Sequence, residues 1–274
     1  MPWQPTTIRY RIRGLQTAAE TVLVSTNAGE GFLKAMGNRG GPHRLAADWV
    51  GTQLAAWLGL PTFDFAIIQV QPENEIPFYH GGQAQPGPAF ITRKDPGMTW
   101  GGDAATLAKL VNPVDIGKLV LFDTWVRNVD RYPPNPATRR PNRGNVFLST
   151  ENVPDGQWRL LAMDHTHCFD GPGYLDAKLD KIDFVQDDLI YGLFPEFIPF
   201  LRPHWPALEA AVARPAVARL KTVNLAWIQQ ITAQIPNEWQ VETAARVALA
   251  KQVYGRANFL SENFIPELEA KLLT

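Results

Sequence analysis

The chain has 274 residues, 45% of them hydrophobic and 19% charged, with a formal net charge of −1. That length buries a substantial core and the composition excludes wholesale disorder, while near-neutral charge provides no global field toward nucleic acid or an anionic membrane. The single cysteine, Cys168, rules out an intramolecular disulfide and a cysteine-based zinc site within one chain.

The opening M-P-W-Q-P-T-T-I-R-Y-R-I-R has no apolar signal core. No stretch reaches the roughly 18 to 20 apolar residues of a membrane span, so a soluble, cytoplasmic protein is expected. Short strands are predicted at residues 8–12, 21–25 and 31–36, with N-A-G-E-G (Asn27 to Gly31) as a turn. Lys34 lies in the third strand between Leu33 and Ala35. It reads either as an edge-strand charge with its head in water or, if the sheet roofs a nucleotide, as a phosphate contact.

From Arg44 to Leu58 apolar residues recur at helical spacing, and Gly59 and Pro61 supply the stop. Asp48 is the one acid of this helix. A helical wheel places it nearly opposite the apolar stripe, in solvent, although Lys34 would need such a partner. Strands follow at residues 63–70 and 89–92, separated by a Pro/Gly/Gln-rich excursion. The breaker-rich run from Lys94 to Asp103 reads as a connector. A boundary at about residues 91–103 gives two expected lobes, 1–95 and 96–274.

Asn112-Pro113-Val114-Asp115 has the pattern of a helix start: cap, proline, then an acid in the first turn. The helix should run to about Val126, with Asp130 following within a turn of its end. Tyr132 to Gly144 is a proline-rich loop. Asn145 to Ser149 and Trp158 to Met163 read as an antiparallel hairpin that sets Asn145 beside Asp164. An orienting carboxylate, an amide and a second carboxylate together make the layout of a phosphoryl-transfer site with a Mg²⁺ position. Beyond Phe169 comes an acidic, solvated stretch holding Asp176, Asp180, Asp183, Asp187 and Asp188. Helical patterns then run at about 205–213, 215–221, 225–234 and 241–254, broken by I-P-N-E-W (Ile235 to Trp239). A β-rich front and a helical back predict an α+β bilobal fold.

N-V-D-R (Asn128 to Arg131), followed by G-N-V-F-L and M-D-H, resembles the HipA-like kinases and, behind them, the protein-kinase-like fold. G-F-L-K (Gly31 to Lys34), L-A-A-D-W-V-G-T-Q-L-A-A-W-L-G-L-P (Leu45 to Pro61) and I-P-N-E-W agree with that family, and the resemblance spans roughly residues 20–255. It implies Asp130 as catalytic aspartate, Asn145 and Asp164 as Mg²⁺ ligands, and Lys34 as the phosphate lysine. It puts Asp48 in the place of a steadying glutamate, with Phe90 and Ile91 near the adenine. Three departures stand out. Asp48 is one methylene short of glutamate, no G-x-G-x-x-G precedes Lys34, and the asparagine at the usual distance from Asp130 is Asn135, set among prolines.

The resemblance implies an ATP- and Mg²⁺-dependent kinase acting on Ser or Thr of a protein substrate. It also raises a role as the toxin half of a toxin–antitoxin pair, with an antitoxin-like partner, which no residue here shows. No membrane and no direct nucleic-acid contact is expected. A lipid or small-molecule kinase competes, although no basic amphipathic membrane helix is present. A catalytically weak pseudokinase acting as an interaction module also competes. His165 and His167 have alternate spacing on a strand, but zinc would need a third histidine or cysteine nearby. Arg127, Arg131, Arg139, Arg140 and Arg143 form a basic cluster that reads as a solvated loop or as a dock for acidic substrate.

Overall fold

The computed structural model describes residues 3–137, 140–170, 175 and 177–273. Arg139 and Asp176 lie outside the described residues. Strands β1 (Ile8–Gly14), β2 (Val22–Thr26), β3 (Gly29–Lys34), β4 (Phe65–Val70) and β5 (Gly87–Arg93) form one antiparallel sheet in the order β1-β2-β3-β5-β4. Period-two alternation divides its faces. Val22, Val24, Leu33, Ala89 and Ile91 pack on one side with Ile68, Val70, Ile76, Phe78 and Ala84. The last three come from the 71–88 excursion, so this Pro/Gly/Gln-rich stretch folds back as the cover of the sheet. Phe32, Lys34, Phe90 and Thr92 take the opposite side, toward a cavity.

Helix α1 (His43–Leu58) packs against that side through Leu45, Ala46, Val50, Leu54 and Leu58. Gly59 ends it at φ 77°, its N–H bonding the Ala55 and Ala56 carbonyls, a left-handed cap that glycine adopts without a Cβ penalty. The expected connector contains strand β6 (Gly97–Thr99), which joins β7 (Val146–Ser149) and β8 (Arg159–Ala162) in a second sheet, order β6-β7-β8. Its backbone pairing with β7 overrides the local breaker composition.

After the short α2 (Ala104–Leu107), helix α3 (Asp115–Val126) is buried almost throughout. It begins later than Asn112-Pro113 suggests. The Asn112 side chain is occupied instead with the Leu160 backbone, donating to its carbonyl at 3.0 Å and accepting from its N–H at 2.8 Å. The remaining helices are α4 (Ile182–Val185), α5 (Phe197–Leu201), α6 (Trp205–Leu208), α7 (Arg214–Leu220), α8 (Leu225–Ala233) and α9 (Thr243–Leu273). Helix α9 runs well past Tyr254, and its Arg256 reaches across to the C-terminal carbonyls of α3, donating to Thr124 at 2.6 Å and Trp125 at 3.0 Å. Those carbonyls have no partner within their own helix, so a buried guanidinium satisfies them. Arg256 also binds Asp187 at 3.1 Å, and Arg127 binds the same carboxylate at 3.2 Å. Asp187 is therefore drawn out of the solvated acidic stretch into the interior. Trp239, fully buried, donates its indole N–H to the Pro88 carbonyl at 2.9 Å and ties the helical region to β5. The result is a mixed α/β chain, sheet-rich at the front and helical at the back. Among the described residues no helix is long and apolar enough to cross a membrane.

Candidate active site

Three segments converge beneath the first sheet. β3 ends at Lys34, which is largely buried, and its ammonium is shared between Asp48 of α1 at 2.8 Å and Asp164 at 2.9 Å. Asp48 is buried rather than solvated. Its second oxygen accepts the His165 N–H at 2.8 Å, so the shorter side chain still bridges lysine and backbone. Gly51, one turn away, lets α1 approach closely, because a Cβ there would sit 2.7 Å from the Cβ of His165.

One ammonium between two carboxylates treats them unequally. Burial pushes the Asp48 carboxyl up to about 6, against the pull of Lys34. Burial works the same way on Asp164, but Lys34 and the Thr166 hydroxyl outweigh it and hold that carboxyl below its ordinary range. Burial pushes down on the lysine, and the two carboxylates more than reverse this, keeping it charged. Asp164 is thus the firmly ionised partner. It sits in the left-handed region at φ 55°, uncommon for a residue with a side chain and a feature of sites where geometry outranks local preference.

Asp130 is positioned from both sides. Asn128 accepts the Asp130 N–H at 3.2 Å while its amide holds Asp123 at 3.1 Å. Arg131, wholly buried, pairs with Asp123 and donates to the carbonyls of Asn145 at 3.2 Å and Met163 at 2.8 Å. The Asp130 Oδ2 then accepts two amides, from Asn145 at 2.7 Å and Asn142 at 2.9 Å. The hairpin pairs Val146 with Ala162, so Asn145 falls opposite Met163, one residue short of Asp164. Asn145 itself belongs to a 3₁₀ turn, Arg143–Asn145, that leads into β7.

A line of contacts joins the halves. The Thr166 hydroxyl donates to Asp164 at 2.7 Å, so its oxygen accepts from His167 at 3.0 Å, which assigns the proton to Nδ1 of that ring. The same nitrogen lies 3.6 Å from the Asp130 Oδ2. Burial lowers the His167 pKa. His165 instead binds Thr52 at 3.0 Å, and burial keeps its ring neutral. The two histidines therefore have separate side-chain partners.

Beside Lys34 and Asp164 lies a cavity of about 240 Å³ lined by Phe32, Phe63, Phe90, Phe147 and Met163, with Thr17, Thr21, Thr62, Thr92 and Thr99 interspersed. An apolar slot with a charged end suits a planar base joined to phosphates. Phe90 lines it. Ile91 does not, because the next residue of a strand points to the other face, and its side chain is buried in the far core. The β1–β2 turn over the cavity is built without a glycine-rich run. Thr17 accepts the Thr21 N–H at 3.0 Å, and Glu20, at φ 52°, accepts the Arg39 N–H at 3.3 Å.

Asn142 and Thr166 join the cluster without having been singled out in the sequence. A second asparagine three residues before Asn145 was the available signal for Asn142. Asn135 is exposed, its side chain accepting the Ala137 N–H of its own loop at 3.0 Å. The basic cluster is mostly spent internally. Arg127 pairs with Asp170 and Asp187, Arg131 with Asp123, and Arg143 with Glu196, while Arg140 is exposed. Asn145 Oδ1 and Asp164 Oδ2 have no protein partner among the described residues, and such hard oxygen donors fit Mg²⁺.

No curated protein matches this chain. Among solved structures, the crystal structure of the Helicobacter pylori proinflammatory kinase CtkA aligns with a TM-score of 0.56, covering 96% of this chain and 97% of that one. At 11% identity the likeness is one of fold. The family model described as HipA-like kinase matches residues 16–181, a span that includes Lys34, Asp48, Asp130, Asn145 and Asp164. By that match the chain belongs to the HipA-like kinase family and is a kinase-type phosphotransferase.

Proposed function

We propose that this kinase uses ATP and Mg²⁺ to phosphorylate Ser or Thr of a protein substrate, in the manner of a bilobal protein kinase. Residues 1–95 act as the nucleotide-binding lobe and residues 96–274 as the catalytic helical lobe. The observation that carries the proposal is the run of contacts from Asn145 through Asp130, His167, Thr166 and Asp164 to Lys34 and Asp48.

In this reading Phe90 contacts the base, Lys34 addresses the phosphates, and Asp48 holds Lys34 in place. Asn145 and Asp164 hold the Mg²⁺ through their unpartnered oxygens. When bound, Mg²⁺ supplies charge neutralisation at the phosphates. With Oδ2 of Asp130 occupied by two amides, its other oxygen is left to orient the substrate hydroxyl. The hydroxyl oxygen bonds to the terminal phosphorus and its proton passes to Asp130. The bond between that phosphorus and the bridging oxygen breaks, its electron pair leaving with ADP. The single cysteine suits a cytoplasmic setting.

The test is transfer of radiolabel from Mg-ATP to proteins of a cell lysate, run beside Asp130→Ala. Transfer by the wild type alone is expected, with ATP affinity retained in the variant because Asp130 addresses the acceptor. Equal transfer by both would remove Asp130 from the chemistry, and phosphorylation confined to lipid or small molecules would replace the protein substrate.

A further inference from the structure

Helix α1 uses one flank, a turn at a time, against the segment after β8. Thr52 meets the His165 ring at 3.0 Å. Asp48, four residues earlier, accepts the His165 N–H and holds Lys34. Another four residues earlier stands Arg44. Residues four apart share a helix face, each about 6 Å farther along the axis, so Arg44 continues the row beyond Lys34. At that end its charge acts on the His167 ring, which lies against Asp130.

Arg44 is half-buried, and its guanidinium is held without a charged partner among the described residues. One nitrogen donates to the Ala18 carbonyl at 3.3 Å, on the β1–β2 turn that covers the cavity. Its Nε is buried and has no hydrogen-bond partner among the described residues. The backbone of Gly40 lies directly against it, where any side chain would overlap the guanidinium. No carboxylate pairs with it among the described residues, whereas the buried Arg131 and Arg256 each have a carboxylate and two or more carbonyls. A cation held in place without a protein counterion leaves a position for an anion, and guanidinium favours phosphate oxygens.

We propose that Arg44 binds the terminal phosphoryl group of the nucleotide. This rests on the nucleotide-site reading given above. Lys34 is already shared by Asp48 and Asp164, and one turn earlier on α1 stands Arg44, which bonds Ala18 of the turn over the cavity and whose charge reaches the His167 ring beside Asp130. The phosphate that faces the acceptor-orienting carboxylate is the terminal one, so Arg44 distinguishes triphosphate from diphosphate. A phosphate carried by the acceptor has the same chemistry, and omitting any acceptor from the measurement separates the two sources.

The experiment is calorimetric titration of the whole chain with Mg²⁺ and either ADP or the β,γ-imido analogue of ATP, for wild type, Arg44→Gln and Arg44→Lys. The Gln variant is expected to lose about tenfold or more in affinity for the triphosphate analogue with ADP affinity unchanged, and the Lys variant to recover part of the loss. Unchanged triphosphate affinity in Arg44→Gln, with both nucleotides binding the wild type, overturns this inference alone. An equal loss for both nucleotides overturns it too, since it marks a role in holding the Ala18 turn. Failure of the wild type to bind either nucleotide overturns the nucleotide site and this inference together.

Discussion

Asn145 donates its side-chain amide to the Oδ2 of Asp130 at 2.7 Å, across a proline-rich loop that separates them by 15 positions. Asn135, much closer in sequence, points into its own turn. Rigid coupling to the carboxylate and to β7 is what a metal with near-octahedral demands requires.

Asn145→Ala is therefore expected to lower turnover on the order of 10²-fold and to raise the Mg²⁺ requirement, while Asn135→Ala changes little. Asn142→Ala should fall between them, since one of the two amides on Asp130 is lost. Steady-state kinetics over a Mg²⁺ titration rank the three, and the reverse order for Asn145 and Asn135 would move the metal site.

Lys34 separates binding from stability. Its removal leaves two buried or half-buried carboxylates facing each other, so Lys34→Met is expected to destabilise the chain by roughly 3 kcal/mol. Adding Asp48→Asn should recover much of that, because the uncompensated buried charge is gone. Urea unfolding of both variants measures the difference. Mg-ATP should raise the wild-type melting temperature, and Lys34→Ala and Asp164→Ala should each blunt the rise.

The Asp48 carboxyl, raised by burial from 3.8 to about 6, sets a pH dependence. Between those values the folded protein keeps a proton that the unfolded chain has released. Stability from this group is full below the unfolded value and lost as pH rises through the folded one. Asp164, held low by Lys34 and Thr166 against its burial, acts in the opposite sense, its contribution fading as pH falls below the ordinary range. From pH 5 to 7.5 the wild type should lose stability relative to Asp48→Asn, on the order of 1 kcal/mol. Parallel urea titrations at the two pH values give the slope, and equal slopes would contradict the assignment.

Trp239 is expected to carry a large share of the link between the helical region and β5. Trp239→Phe should cost about 1 kcal/mol by leaving the Pro88 carbonyl unpaired, and Trp239→Ala about 3–5 kcal/mol through the added cavity. Thermal unfolding distinguishes these, and similar losses for both would mean the indole bond dominates the packing.

The sequence by itself determined the features that depend on a few neighbouring residues. Helix α1 and its glycine stop, a turn beginning at Asn27 and the β7–β8 hairpin follow from periodicity, turn chemistry and short spacings, and the motifs that resemble the HipA-like family are short runs of neighbouring residues. The placing of both Phe90 and Ile91 near the adenine needed correction, since a strand alternates its faces and only Phe90 lines the cavity.

Only the tertiary structure decided how far-separated side chains use one another. A helical wheel considers α1 alone and places Asp48 in water. In the fold, β3 and the Asp164 segment close over that flank, so the carboxylate is buried against Lys34, 14 positions away, and the His165 N–H, 117 away. Asn112 looks like a cap until Leu160 claims it, and the arginines beside Asp130 look like a basic surface until Asp123, Asp187 and Glu196 neutralise them. Local propensity acts over one or two turns of chain, whereas the charge pairing of this site is set by packing among segments up to 130 residues apart.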